Sequence, residues 1–192
     1  MSRPFTSDDA DDLRQAEKDV RNALGELELD FHALLAVSNI FRAATAVRNH
    51  MEGNVLAHDQ LSWTAFVVLF VLRVWGPQES HQLAAEAGIT GGTLTGVLKT
   101  LEKKGLAHRT EHGTDRRRVV VSATRAGLQA VDRIMPRFND HEAIVTSDLG
   151  EEQRDELSRL LRMVLRRVDR IDGRDAGDRY RTSDIGGGAA DA

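Results

Sequence analysis

Glycines divide the middle of this chain into short segments, and that punctuation limits the folds open to it more than any other feature. The apolar run "LSWTAFVVLFVLRVW" stops at Gly76-Pro77, "ESHQLAAEA" stops at Gly88, and "TGGTLTGVLKTLEKK" stops at Gly105. Each segment has helical periodicity, and glycine is the residue best suited to the position just beyond a helix. Two short β-prone runs follow, "LAHRTE" and "RRVVVSA", around the turn "HGTDR", and they read as a β-hairpin. Two helices joined by a tight turn, then a hairpin, make a winged helix-turn-helix over residues 61–123. In such a unit the second helix enters the major groove of DNA, N-terminal residues first.

The composition of that second helix is unusual. Leu94, Val97, Leu98 and Leu101 share one face, which must be buried. The opposite face presents Gly92, Thr93, Thr95, Gly96, Lys99 and Lys103, with Thr90 just before it. Glycine in a helix interior costs roughly 1 kcal/mol against alanine, and threonine is also a mediocre helix former. A DNA-facing surface accounts for the choice. Glycine removes bulk so that backbone can approach the duplex, and threonine methyls can touch thymine C5-methyls. Threonine hydroxyls can bond bases or phosphates, and free N–H groups at the helix start favour a phosphate. The hairpin tip adds Asp115, Arg116, Arg117 and Arg118. Arginine suits a narrow minor groove, and Asp115, two residues before Arg117, is placed to orient its guanidinium.

Charge distribution agrees. The net charge of the 192 residues is −4, but residues 89–125 carry eight Lys and Arg against three carboxylates, a local +5 that leaves −9 elsewhere. A basic patch on an otherwise acidic molecule fits a DNA-facing surface better than general stickiness. There are no cysteines, which excludes disulfides, thiolate metal sites and thiol-based redox sensing. No apolar run approaches the ~20 residues that span a bilayer. The acidic start "MSRPFTSDDADDL" lacks the apolar core of a secretory signal. A cytoplasmic protein with no membrane partner is expected.

The flanks are helical. Residues 1–7 and the Gly-rich stretch 173–192 are expected to be disordered. Residues 8–60 read as two N-terminal dimerisation helices, the first an extra helix over 8–29. The second carries a stripe of Leu34, Val37, Phe41, Ala44, Met51 and Val55. Residues 124–172 read as two C-terminal dimerisation helices, with Thr124 capping the first. The last has Leu157, Leu161, Val164, Val168 and Ile171 at alternating four- and three-residue steps, a seam for another helix. The expected fold class is mainly α with a small β-wing.

Other constellations point less sharply. Trp63, Phe66, Phe70 and Trp75 form an aromatic stripe on a helix that is apolar all round between residues 65 and 72, as a core helix would be. The functional alternative is that Trp63, Phe66 and Phe70, with His32 and Asn39, wall an apolar ligand pocket, with Arg42 or Arg48 as the cation for a carboxylate. Seven histidines raise a metal-responsive alternative. His50, His58, His108 and His112 lack the paired spacing of a zinc site, so no metal ligand and no cofactor are assigned. Catalytic motifs are missing: there is no nucleophile elbow, no phosphate-cradling glycine loop followed by lysine, and no helix-borne H-E-x-x-H. A dimeric interaction protein that does not bind DNA is the remaining alternative, and the +5 patch speaks against it.

Residues 61–127, with the wing pattern D-x-R before a β-run, then Thr124 and Gly127, resemble the DNA-binding core of MarR-type bacterial transcription regulators. The order and length of the flanking helices extend the resemblance over about residues 30–171. It implies a homodimer built from N- and C-terminal helices, one winged lobe per subunit, and binding to double-stranded DNA at a palindromic operator. It further implies that a small, often aromatic, acid releases the DNA, so a repressor is expected. By position, Asp115 and Arg117 would be the wing pair, and Thr93, Thr95 and Lys99 would lie on the recognition helix. Ala123 stands where many members have Leu, and the helix over 8–29 lies beyond the minimal fold.

Overall fold

A computed structural model describes residues 10–112 and 115–171, with side chains described at 14–110 and 119–171. The expected disorder of 1–7 and 173–192 lies outside the described residues. The chain divides into two compact units, residues 1–63 and 64–192.

The first unit holds α1 (Ala10–Leu24), α2 (Phe31–Asn54) and a 3-10 turn over Leu56–Asp59. The helix expected over 8–29 therefore ends five residues early. Asp30 is the reason: its carboxylate accepts from the Ala33 N–H at the start of α2, which requires extended backbone there (φ −76°, ψ 92°). A turn in which Leu27 N–H donates to Leu24 O closes α1 before that point. Asn39 on α2 donates to Glu17 Oε1 on α1 at 2.9 Å, and the Arg21 guanidinium lies over the Phe31 ring. The apolar stripe of α2 is only partly buried. Met51 and Val55 have no exposed surface, while Val37 and Phe41 stay exposed in the single chain. At the end of this unit Glu52 accepts from the Trp63 N–H at 2.7 Å, satisfying one of the unpaired donors that open the next helix.

That helix is α3 (Trp63–Trp75), whose residues from Thr64 onward belong to the second unit, which continues through β1 (Gln78–Glu79), α4 (Ser80–Glu86), α5 (Gly91–Lys103), β2 (Ala107–His112), β3 (Asp115–Ala123), α6 (Arg125–Val145) and α7 (Glu151–Ile171). The fold is mainly helical with a small wing. Ala65, Phe66, Val68, Leu69, Val71 and Leu72 are all buried, so α3 is the core helix its sequence implies. Leu83 of α4, Leu94, Leu98 and Leu101 of α5, Val121 of β3, and Val131, Ile134 and Phe138 of α6 are buried with it, and the Phe66 and Phe138 rings stack at 4.7 Å. Arg73 and Asp132 join α3 to α6 at 2.8 Å on the surface.

The sheet has three strands, ordered β1-β3-β2, rather than the two of a simple hairpin. Gln78 and Glu79 pair antiparallel with Val121 and Val120. Two residues beside a Gly-Pro carry no strand signal of their own. They pair because α4 must start next to β3, where Ser80 Oγ donates to Val119 O at 3.1 Å. None of the described helices is long and apolar enough to cross a membrane.

Candidate nucleic-acid interface

Helix α5, the expected recognition helix, is held at both ends by its own sequence. Thr90 is extended (φ −76°, ψ 155°), and its hydroxyl accepts from the Thr93 N–H, as an N-cap should. Past the other end Gly105 takes φ +68°, the left-handed conformation that turns the chain into β2. A compact knot then ties this turn to α6. Thr124 Oγ1 donates to Gly105 O at 2.7 Å and accepts from the Gly127 N–H, while the Thr124 N–H donates to Leu106 O. Gly127 is buried against Leu106, and a Cβ there would fall onto the Leu106 carbonyl oxygen. Thr124 and Gly127 thus tie the end of α5 to the start of α6.

With both ends set, the two faces separate as their residue types demand. Leu94, Leu98 and Leu101 are at most 2% exposed and Val97 is half-buried, whereas Thr90, Gly92, Thr93, Thr95, Gly96, Lys99 and Lys103 are all exposed. A Cβ added at Gly91 or Gly96 would meet no atom within 4 Å, and at Gly92 only the Thr90 hydroxyl at 3.8 Å. These three glycines also keep ordinary helical backbone rather than a positive φ. Neither packing nor conformation of this chain calls for glycine at these positions.

Hydrogen bonding within α5 uses part of what its threonines offer. Thr95 Oγ1 donates to Gly91 O at 3.0 Å and Thr100 Oγ1 to Gly96 O at 3.3 Å, while the Thr90 and Thr93 hydroxyls bond each other at 2.9 Å.

One cation of the basic stretch is engaged inside the protein. Arg109 on β2 clasps Glu102 on α5 with two hydrogen bonds, Nε to Oε1 at 3.0 Å and Nη2 to Oε2 at 2.6 Å. That hydrogen-bonded pairing holds the Glu102 carboxyl below the usual carboxylate range and pushes Arg109 above its own. Sequence reasoning counted both as surface charge. Their separation of seven residues across the Gly105 turn was the available signal, but it becomes informative only once β2 is known to fold back beside α5.

In the wing, β2 and β3 pair in register from Ala107↔Ala123 to Glu111↔Val119, and the next pair is His112↔Asp115. Among the described residues, the step leaves Arg116, Arg117 and Arg118 without a residue opposite them in the ladder. The side chains of Asp115, Arg116, Arg117 and Arg118 lie outside those described, so the expected Asp115–Arg117 pairing does too.

The remaining candidates are dispersed in role. Phe66 is a core residue stacked on Phe138, and Phe70 lies 6.2 Å from Phe66, centroid to centroid. Trp63 is half-buried and His32 exposed, and the Asn39 amide is engaged with Glu17, while its carbonyl accepts from Arg42 at 3.3 Å. On α7, Leu157, Leu161, Val164 and Val168 are exposed by 37–46% in the single chain. Among the described residues no group of three His, Asp or Glu side chains is placed to hold a metal ion.

Comparison with known proteins agrees with this geometry. The MarR family model matches residues 61–119, the segment from the start of α3 into the wing. The HTH-type transcriptional regulator YwaE of Bacillus subtilis is 36% identical over 155 residues, covering 79% of this chain and 91% of that protein. Among solved structures, transcriptional regulator PA4135 is 28% identical with a TM-score of 0.63, over 68% of this chain and 95% of its own. Bordetella bronchiseptica BpsR, whose DNA binding is regulated by 6-hydroxynicotinic acid, is 25% identical with a TM-score of 0.61, over 67% and 98%. The match of the family model to the segment from α3 into the wing, with the likeness to YwaE along most of this chain, places the chain in the MarR family of DNA-binding transcriptional regulators.

Proposed function

We propose that the protein is a homodimeric repressor that occupies a palindromic operator and is released by a small aromatic acid. One observation carries the DNA-facing assignment: Gly92 and Gly96, with Thr93, Thr95 and Lys99, form an exposed helix face on which glycine serves no need of the fold. Two such helices related by a two-fold axis would read half-sites about one helical turn, roughly 10 bp, apart. Arg116, Arg117 and Arg118 on the wing would add contacts in the adjacent minor groove. The dimer reading is supported by the row Leu157, Leu161, Val164 and Val168, an apolar seam left open in a single chain. The similarity to BpsR supports an aromatic acid as the effector class. A ligand that binds better to a dimer geometry with mismatched helix spacing would release the operator.

Gel-shift titration against selected operator fragments tests the reading. Affinity is expected to fall steeply with salt as phosphate counterions are released, and Arg117→Ala to flatten the log–log slope by about 0.9 while the dimer stays intact. An unchanged slope in that variant would remove the wing from the interface.

A further inference from the structure

We propose that the recognition face distinguishes T·A from C·G pairs through the thymine 5-methyl group, with Thr93 and Thr95 as the residues that set this preference. The proposal rests on the DNA-binding reading above and adds which base edge is read.

The exposed residues of α5 are glycine, threonine and lysine without exception. Arginine, asparagine, glutamine and unpaired carboxylates, the side chains that grip guanine, adenine or cytosine by their hydrogen-bonding edges, do not occur there. Glu102, the one carboxylate on the helix, is held by Arg109. Lys99 and Lys103 lie in the later turns, so the turns that enter the groove first carry only glycine and threonine.

Threonine ordinarily offers a donor, an acceptor and a methyl. Here the donor is largely committed. Thr95 gives its hydroxyl proton to Gly91 O, and the Thr90–Thr93 pair shares a hydroxyl proton between its own oxygens. Thr95 keeps acceptor lone pairs and a methyl, and the Thr90–Thr93 pair keeps in addition one hydroxyl proton, which thymine O4 and guanine O6 accept alike. Adenine N6–H2 and cytosine N4–H2 both donate in the major groove, so an acceptor does not separate the two pairs. The thymine methyl does. Glycine at 92 and 96 brings the helix backbone near enough for so small a group to be felt.

The test uses the full-length protein and double-stranded fragments that it enriches from a random pool. Each fragment is resynthesised with deoxyuridine replacing thymidine at half-site positions. That change removes the methyl and leaves the Watson–Crick and minor-groove edges intact, so wing contacts are preserved. Affinity is expected to fall about fourfold for each contacted methyl, the equivalent of ~0.8 kcal/mol for one buried carbon. Thr93→Ser and Thr95→Ser keep the hydroxyl and lose the methyl, so each is expected to bind the thymine and uracil versions equally at the position it faces. Equal affinity of the wild-type protein for both versions would overturn the proposal while leaving DNA binding intact. A thymine preference that persists undiminished in both serine variants would also overturn it, because the discrimination would then arise from duplex shape. Enrichment of no fragment at all would overturn the DNA-binding reading and this inference with it.

Discussion

A Cβ placed on Gly127 would land on the Leu106 carbonyl oxygen, whereas one placed on Gly96 would meet no atom within 4 Å. Both glycines sit inside helices, α6 and α5, and neither has a positive φ. Residue type and backbone conformation are therefore the same, and the reason for glycine differs. At Gly127 the chain itself requires it, because the start of α6 is tied through Thr124 to the end of the recognition helix. At Gly96 nothing within the chain does, and a helix glycine with no internal reason costs about 1 kcal/mol. The apolar row on α7 belongs with Gly96: Leu161 is 37% exposed and Leu165 58%, a cost in exposed surface that a single chain does not recover. On the proposed function, residues of this second kind mark where the molecule meets DNA or its partner subunit. The lesson is to ask of each costly residue what its own fold gains from it.

Four variants probe that division. The largest effect is expected from Leu161→Asp, which places a charge in the seam of both protomers. Losing two buried leucines at about 1.5–3 kcal/mol each predicts at least a hundredfold weaker dimerisation. Because Leu161 is not buried in the single chain, circular dichroism should still report folded helices. Sedimentation of an intact dimer would take α7 out of the group of outward-directed residues.

Gly127→Ala should destabilise the fold by about 3 kcal/mol, at the upper end for overpacking because the obstacle is backbone. Chemical denaturation measures this, and a loss below 1 kcal/mol would erase the contrast with Gly96. In the opposite sense, Gly96→Ala should stabilise the free protein by about 1 kcal/mol and weaken operator binding about tenfold. Greater stability with unchanged affinity would mean that no duplex approaches that face.

The smallest effect concerns Glu102 and Arg109, which are explained within the chain. Both are partly exposed, with side chains 29% and 38% accessible, so Glu102→Gln should cost less than about 1 kcal/mol. The pH dependence has a definite sign. Glu102 is lowered in the folded state, so its contribution is complete above the ordinary carboxylate value of 4.5 and disappears as pH falls through the lowered one. Acid titration of stability for wild type and Glu102→Gln should therefore converge only below that value. Convergence already at neutral pH would show that the clasp between α5 and β2 contributes nothing.

Local chemistry accounts for what was legible in the residues alone. The end of α5 follows from Gly105 as terminator, its buried face from the spacing of Leu94, Leu98 and Leu101, and the start of α6 from Thr124. These depend on neighbours within about one helical turn, so sequence order is enough to specify them. The helix expected over 8–29 stops early because Asp30, as the cap of α2, requires extended backbone just beyond that span.

Tertiary structure alone decided the rest. β1 exists because Gln78 and Glu79 meet Val121 and Val120 some forty residues later. Arg109 is paired within the chain because β2 brings it back to Glu102. Gly127 and Gly96, alike in the sequence, become opposites only when the space around each is known. The physical reason is the same in all three cases. Propensity and capping act along the chain, whereas strand pairing, charge neutralisation and steric room depend on which distant residues folding brings alongside.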